Sequence, residues 1–444
     1  MHEAITAKNI TKIKSPFFRE NAQLYIDIEA EYRTRMASFG LDYSHESYLT
    51  PYDPWVEGLT ERGLSIANDH RSLHIGWISP SCLSCRKGVG AATFQFSNQC
   101  PRNCFFCFNR NQKDYERLLV EMDDPIAKIE AYHADGVVFH DLALSGGEPL
   151  LHTPKVIEYF ATIRRLYPDA YTRLYTSGAF FDVETAEALA NAGLDEIRFS
   201  IKTDDSEIER EKLFSLMSIA KAALPAVMVE MPAMPDEFEL MKDLLVRLDR
   251  LGINGINLLE LGFPFNNAEE YARRGYKLKP QLFRTLYDYT YAAGLPVAGS
   301  EDVCLRLLGF ALDQRLRLGV HYCSLENKHS AQIYLQNIGY KDAFDFCEFS
   351  ERDYFLKSVK AFGKDADLIE RFLVEKGLEN YRKDSEDRLI EFPPSYVSRL
   401  RRSFPKLQLG LSYHVITGEG DAVALRELRL DLITPKTFNL GKDV

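Results

Sequence analysis

The chain of 444 residues carries 45% hydrophobic and 27% charged side chains and a formal net charge of −11. This is the balance of a soluble globular protein, with length for a large core and one or two further units. No sustained Lys/Arg block is present (the nearest is Arg399, Arg401 and Arg402), so no electrostatic footprint for nucleic acid is seen. No apolar run is long enough to cross a bilayer, and the opening MHEAITAKNITKIKSPFF has no signal-peptide core. A cytoplasmic protein without a membrane partner is therefore expected.

Taken in order, Ser15-Pro16 opens and Gly40 closes a predicted helix over 16–39. Residues 41–80 are irregular and aromatic (Tyr43, Tyr48, Tyr52, Trp55, Trp77), with Pro51 and Pro54 breaking periodicity, and are expected to cap a barrel. From Ala91 the pattern alternates strand and helix, as in a parallel α/β sheet. The predicted strands are 92–97, 137–145, 171–176, 196–203, 226–231, 255–261 and 295–299. Between them, Thr153-Pro154, Asp182, Asp236 and Pro280 start helices, and Gly193, Gly252 and Gly294 stop them. About six β/α units favour an open, partial (β/α)6 barrel over a flat doubly wound sheet. Past Leu305 the alternation weakens, a helix is expected over 365–376, and LSYHVIT–GEGD–AVALRELRLDLI reads as a hairpin in a small C-terminal α+β subdomain. The expected units are a cap (1–90), a barrel (91–304) and a C-terminal extension (305–444).

Eight cysteines are grouped in a way that suits metal or catalytic chemistry in a reducing compartment rather than a disulfide scaffold. Cys100, Cys104 and Cys107 come just after the first strand of the alternating region as C-x3-C-x2-C. Three thiolates on one short loop suit zinc or an iron–sulfur cluster. A structural zinc site closes with four protein ligands, and this loop has no fourth cysteine. A cluster iron without a protein ligand is open to a small molecule. One β/α unit later, the second strand runs into SGGEP, Ser145 to Pro149. Glycines at a strand's carboxyl end let a ligand approach the backbone, and Glu148 supplies an acceptor.

The three-cysteine loop with Phe106 before its last cysteine, then Gly146-Gly147-Glu148 in strand register, resembles the radical S-adenosylmethionine (radical SAM) enzymes. The resemblance implies a partial barrel. It implies a [4Fe-4S] cluster on Cys100, Cys104 and Cys107, with the fourth iron chelating the methionine moiety of SAM. Gly146, Gly147 and Glu148 would position the methionine ammonium. Ser200, near the end of the fourth strand, resembles the ribose- and carboxylate-contacting position, and Thr176 ends the third strand beside the same ligand. GINGINLLE, Gly252 to Glu260, loosely resembles the family's adenine-side pattern, but its glycines stand one residue too close and Glu260 comes two residues late. The chemistry so implied is reductive cleavage of SAM to a 5′-deoxyadenosyl radical that abstracts a substrate hydrogen, with an electron donor such as flavodoxin or ferredoxin. No side chain is assigned as the catalytic acid or base.

Cys82 and Cys85 form a C-x2-C upstream of the first strand, and Cys323 sits in HYCSLENKH. Together they suggest a second centre, an auxiliary [4Fe-4S] cluster or zinc, with Cys347 or Cys304 as fourth ligand. The opposing reading is that these are inert buried thiols. Of the histidines (133, 140, 152, 321 and 414 among them), only His321, two residues from Cys323, draws attention. The upstream C-x2-C and the late HYCS-x3-K, His321 to Lys328, look like a branch related to pyruvate formate-lyase activating enzymes. The substrate reads as a small molecule or a peptide or protein. The alternatives to a hydrogen-abstracting enzyme in general are an activating or maturation enzyme and a non-catalytic iron–sulfur or zinc scaffold.

Overall fold

The computed structural model describes residues 3–285, 294–386, 388–418 and 422–444. The chain divides into two compact units: Gly40–Leu282 with Asp288–Ala331, and Met1–Phe39 with Phe283–Tyr287 and Gln332–Val444.

The first unit is built on a nine-stranded sheet. Its strands are β1 (Ser65–Ala67), β2 (Ser72–Ile75), β3 (Ala91–Gln95), β4 (Asp141–Ser145), β5 (Tyr171–Thr176), β6 (Glu196–Phe199), β7 (Ala226–Ala233), β8 (Gly255–Glu260) and β9 (Gly319–Cys323). Strands β3 to β9 are all parallel and lie side by side in chain order. A doubly wound sheet reverses its strand order at a switch point; this one does not, and the winding is that of a barrel left open. Beyond β9 the sheet ends with β2 and β1, both antiparallel. The intervening helices are capped by their own sequence. Asp124 accepts from the Ala127 N–H at 3.0 Å, Asp182 from Thr185 at 2.8 Å, and Ser206 and Glu209 form a reciprocal capping box. Their apolar faces join the strands in one core that includes Leu144, Tyr159, Leu174, Phe199, Met217, Val229, Leu245, Ile256, Leu307 and Val320.

Several expectations are corrected. The run 295–299 gives only Leu295–Pro296, which pairs antiparallel with Gly262–Phe263 outside the main sheet; Pro296 has no N–H for a continuing ladder. The last parallel strand is instead β9, so the parallel run has seven strands and continues past 304. The strand expected from 137 begins at Asp141, because Val137 donates back to Tyr132 at 2.9 Å in the turn that ends the helix Pro125–Ala134. The helix expected over 280–294 falls largely on 286–293, outside the described residues. The expected boundaries at 90 and 304 also shift. Glu3–Ala4 pairs with a C-terminal strand, while residues 40–90 supply β1 and β2 to the barrel.

The second unit is an antiparallel sheet centred on β10 (Leu356–Phe362), β11 (Leu389–Phe392), β12 (Leu409–Thr417) and β13 (Ala424–Ile433). The predicted hairpin is β12–β13, although 419–421 of its turn lie outside the described residues. One face, with Val359, Ala361, Leu411, Tyr413 and Val415, packs on the helix Lys364–Glu375 through Ile369 and Leu373. On the other, Phe18 of the helix Pro16–Ala37 stacks on Phe362 with ring centroids 4.6 Å apart. No helix among the described residues is long and apolar enough to cross a membrane.

A buried carboxylate makes this unit acid-sensitive. Burial pushes Glu391 up, but the hydrogen bond from His414, the nearby Lys360 ammonium and the Ser358 hydroxyl bring it down to about 2. A carboxyl held below its unfolded value stabilises the fold above pH 4.5 and loses that contribution as pH falls toward 2. Glu391→Gln should flatten the acid limb of a denaturation-midpoint profile by up to about 3 kcal/mol, while leaving the neutral-to-basic limb parallel to that of the unmodified chain.

Candidate functional site

The carboxyl end of β4 and the loop after β3 are stitched together by backbone. The Gly147 N–H donates to the Ser97 carbonyl at 3.0 Å and the Glu148 N–H to the Gln99 carbonyl at 2.8 Å. A Cβ on Gly147 would stand 2.0 Å from the Gln99 oxygen; one on Gly146, at φ +110°, would stand 2.6 Å from that of Ser97. These glycines thus admit the protein's own cysteine loop, where the sequence suggested a ligand. Further along the loop, Arg102 makes a two-pronged contact with the Asp205 carboxylate, at 3.0 and 2.8 Å. Asn109 donates to the Gly146 carbonyl and Asn267 to that of Phe105, the latter at 2.9 Å. The Phe105 ring meets Phe106 and Tyr271 edge-on and lies under the Arg274 guanidinium, 4.3 Å away.

Glu148 is 1% exposed, and its carboxylate is occupied by the protein. Oε1 accepts from the Leu150 N–H at 3.1 Å and the Thr176 hydroxyl at 2.8 Å; Oε2 accepts from the Ser177 N–H at 2.7 Å and its hydroxyl at 2.5 Å. Burial raises its pKa despite these donors. A carboxylate has about four lone-pair sites, so the side chain binds β4 to the end of β5 and does not stand open as an acceptor, and Thr176 is committed to it. Ser200 is exposed at the end of β6, its N–H on the Thr176 carbonyl at 2.9 Å. Glu260 is not open either. It lies 3.2 Å from the Lys279 ammonium and accepts the Leu325 N–H at 2.9 Å, and Lys279 bridges on to Glu301 at 2.6 Å. It therefore ties the end of β8 to the start of the helix Leu325–Asn337.

The thiols of Cys100, Cys104 and Cys107 are all raised, chiefly by burial. Cys104 is pushed up to about 11, with Lys202 opposing and Cys107 and Cys100 adding to the rise. Cys100 is raised further by Glu148 and Cys107. The loop's three sulfurs thus lie within electrostatic reach of one another. Among the described residues, no three His, Cys, Asp or Glu side chains close on one point as ligands of a single ion. A cubane cluster makes no such demand, since each thiolate takes its own iron. The donor set fits that group.

A second set assembles inside the barrel. Burial raises the Cys323 thiol to about 12, with Lys328 opposing and Cys85 and Cys82 adding. Burial raises Cys85, with Cys82 adding and Arg173 and Arg198 opposing. Donors surround the sulfurs: Asn257 at 3.4 Å and Arg198 at 3.6 Å from Cys82, Asn327 at 3.3 Å from Cys323. Of the two expected fourth ligands, Cys347 lies in the second unit, buried with Leu356 and Ile416. Cys304 lies on the helix Ser300–Asp313, whose Glu301 receives the Tyr322 hydroxyl at 2.7 Å; Cys323, one residue along β9, points to the other face of the sheet, though its thiol adds to the rise of the Cys304 pKa.

Sequence reasoning missed the row that carries this set. Each of five adjacent strands contributes a polar or charged residue to one hydrogen-bonded row: Arg173, Arg198, Glu230, Asn257 and His321. Arg198 pairs with Glu230 and Glu196, each at 2.6 Å, and both guanidinium groups donate to the Tyr175 hydroxyl. Asn257 links Glu230 to His321 at 2.8 Å each way. A charge within a buried strand is rare unless paired, and such charges were the available signal.

An open parallel barrel with a cysteine loop locked to a glycine-rich strand end is the frame of an iron–sulfur enzyme. The model described as "Radical SAM superfamily" matches residues 94–271, so that stretch of the chain carries a radical SAM domain; the cofactors of that family are SAM and a [4Fe-4S] cluster. A Methanocaldococcus jannaschii protein named as a candidate glycyl-radical enzyme activating enzyme is 25% identical over 305 residues, covering 65% of this chain and 75% of that one. The PqqA peptide cyclase of Gluconobacter oxydans is 34% identical over 124 residues, 28% of this chain and 32% of its own length. Among solved structures, Streptococcus suis SuiB bound to SAM is 13% identical with a TM-score of 0.38, covering 52% of this chain and 49% of that one.

The close approach at Gly147 is a direct test of the site's construction. Gly147→Ala should drive the two segments apart at a cost of about 1–3 kcal/mol, and lower the iron retained per chain after anaerobic reconstitution, with the circular dichroism spectrum unchanged.

Proposed function

We propose that this chain cleaves SAM reductively at Cys100, Cys104 and Cys107 and acts by hydrogen abstraction on a peptide or protein. The observation that carries the reading is the pair of backbone hydrogen bonds joining Gly147 and Glu148 to the cysteine loop, which supports it by holding a glycine-rich strand end against the loop of three thiols. A [4Fe-4S] cluster on these three thiols would supply the electron for reductive cleavage of SAM to methionine and a 5′-deoxyadenosyl radical.

The chain's own residues orient and enclose. Cys100, Cys104 and Cys107 would hold the cluster. With the Glu148 carboxylate saturated, the methionine ammonium falls to backbone carbonyls at 146–148, while Glu148 and Thr176 keep that backbone in place. The exposed Ser200 hydroxyl is available to the ribose or carboxylate. Phe106, packed on Phe105, shields the loop from water. Glu260 acts on the adenine side only through the helix start it holds. The buried interior of β5 to β9 keeps the barrel dry. An auxiliary metal centre, on thiols other than these three, belongs to the same reading, as does electron delivery by a flavodoxin or ferredoxin. The peptide or protein substrate is supported by the named activities of two relatives, an activating enzyme and a peptide cyclase.

Anaerobic protein reconstituted with iron and sulfide, then given dithionite and SAM, should form 5′-deoxyadenosine, and Cys104→Ala should lower the yield at least a hundredfold. Equal yields from the two proteins contradict the assignment. A glycyl radical on a co-purified partner after turnover would identify the substrate as an activated enzyme.

A further inference from the structure

We propose that Cys82, Cys85, Cys323 and His74 together hold a second iron–sulfur cluster inside the barrel. This rests on the auxiliary centre of the proposed function and gives it a ligand set that differs from the one the sequence suggested, since neither Cys347 nor Cys304 belongs to it.

Three observations carry it. The first is position. Cys82 lies 3.4 Å from Asn257 on β8, and Asn257 pairs with His321, two residues before Cys323 on the neighbouring β9, although more than two hundred residues separate Cys82 and Cys85 from Cys323 along the chain. The second is the ring of N–H donors from Asn257, Arg198 and Asn327 on Cys82 and Cys323. Such donors stabilise thiolates and tune clusters, and a buried thiol used only for packing has no need of them.

The third is a group of buried polar atoms without hydrogen-bond partners beside the C-x2-C: Ser81 Oγ, Arg86 Nε and His74 Nδ1. A buried polar atom left unpaired costs about 1–3 kcal/mol, and three around one motif mark the place of a polar group. His74 faces this interior. On β2, Ser72 meets the His321 ring at 2.8 Å, and His74, two residues along, shares that face. Its ring lies edge-on to His321, with centroids 6.4 Å apart. His321 itself is not the ligand, because Ser72 and Asn257 occupy both of its ring nitrogens. His74 is thus the imidazole beside the set with a nitrogen to give. Three thiols and an imidazole would give each iron of a four-iron cluster one protein ligand.

The test uses the full chain with Cys100, Cys104 and Cys107 all changed to Ala, reconstituted anaerobically with iron and sulfide. About four iron and four sulfide should remain per chain, and Cys82→Ala with Cys85→Ala should remove them. Pulsed electron paramagnetic resonance of the reduced cluster should show an imidazole nitrogen coupling that disappears in His74→Ala. Zinc alone, or no metal, in a triple variant with native circular dichroism overturns the proposal. Should that variant not fold, iron counts on the otherwise unmodified chain decide, and should fall from about eight to about four on Cys82→Ala with Cys85→Ala. If that change leaves both iron content and 5′-deoxyadenosine yield unaltered, the second cluster is refuted while SAM cleavage stands. If the iron persists without nitrogen coupling, His74 is not its ligand and the four-residue set is wrong.

Discussion

The site depends on how closely two segments of main chain can approach. The loop after β3 and the carboxyl end of β4 share two backbone hydrogen bonds, and the contact exists because residues 146 and 147 have no side chains. The geometry at Gly147 leaves no room for even one carbon atom. From this contact the remaining order extends outward. Glu148 is carried inward to collect four donors and fix β4 against β5. Asn109, Arg102 and Asn267 tie successive parts of the cysteine loop to β4, to the segment after β6 and to the segment after β8. A loop of three cysteines in water would sample many shapes. Here its entropy is removed by neighbours fixed in a sheet.

A second constraint shapes the interior. A parallel sheet covered on both faces usually reads as continuous apolar strands, yet this one buries Arg173 and Arg198. Isolated, each charge would be costly; each is retained because a carboxylate on the same or a neighbouring strand faces it. The chain from Asp141 through Arg173, Tyr175, Arg198, Glu230 and Asn257 to His321 and Ser72 leaves its spare donors directed at Cys82. Polar groups at this depth raise the demand on geometry, because partial satisfaction is worse than none. It is in this region that unpaired atoms remain beside Cys85.

Much of the barrel could be read from sequence because its signals are local. The bounds of β5 fall where predicted, and Asp182 and Gly193 punctuate a helix as their chemistry requires. The cysteine loop and GGE were legible because their spacing is short. What was missed depended on distance. Glu260 looked like a ligand residue, but a lysine 19 positions on and an N–H 65 positions on occupy it. The N-terminal residues looked like part of a cap, whereas Glu3–Ala4 pairs near the end of the chain. His74 drew no notice at all, since only the pairing of β2 with β9 sets it beside His321.

The cysteine loop and the strand end that grips it should bind SAM as one site. The most direct measurement is the electron paramagnetic resonance spectrum of the dithionite-reduced Cys82→Ala, Cys85→Ala chain, recorded with and without SAM, so that only the first cluster contributes. The predicted result is a single [4Fe-4S]⁺ signal whose g-values shift when SAM is added. A signal unchanged at saturating SAM would contradict it.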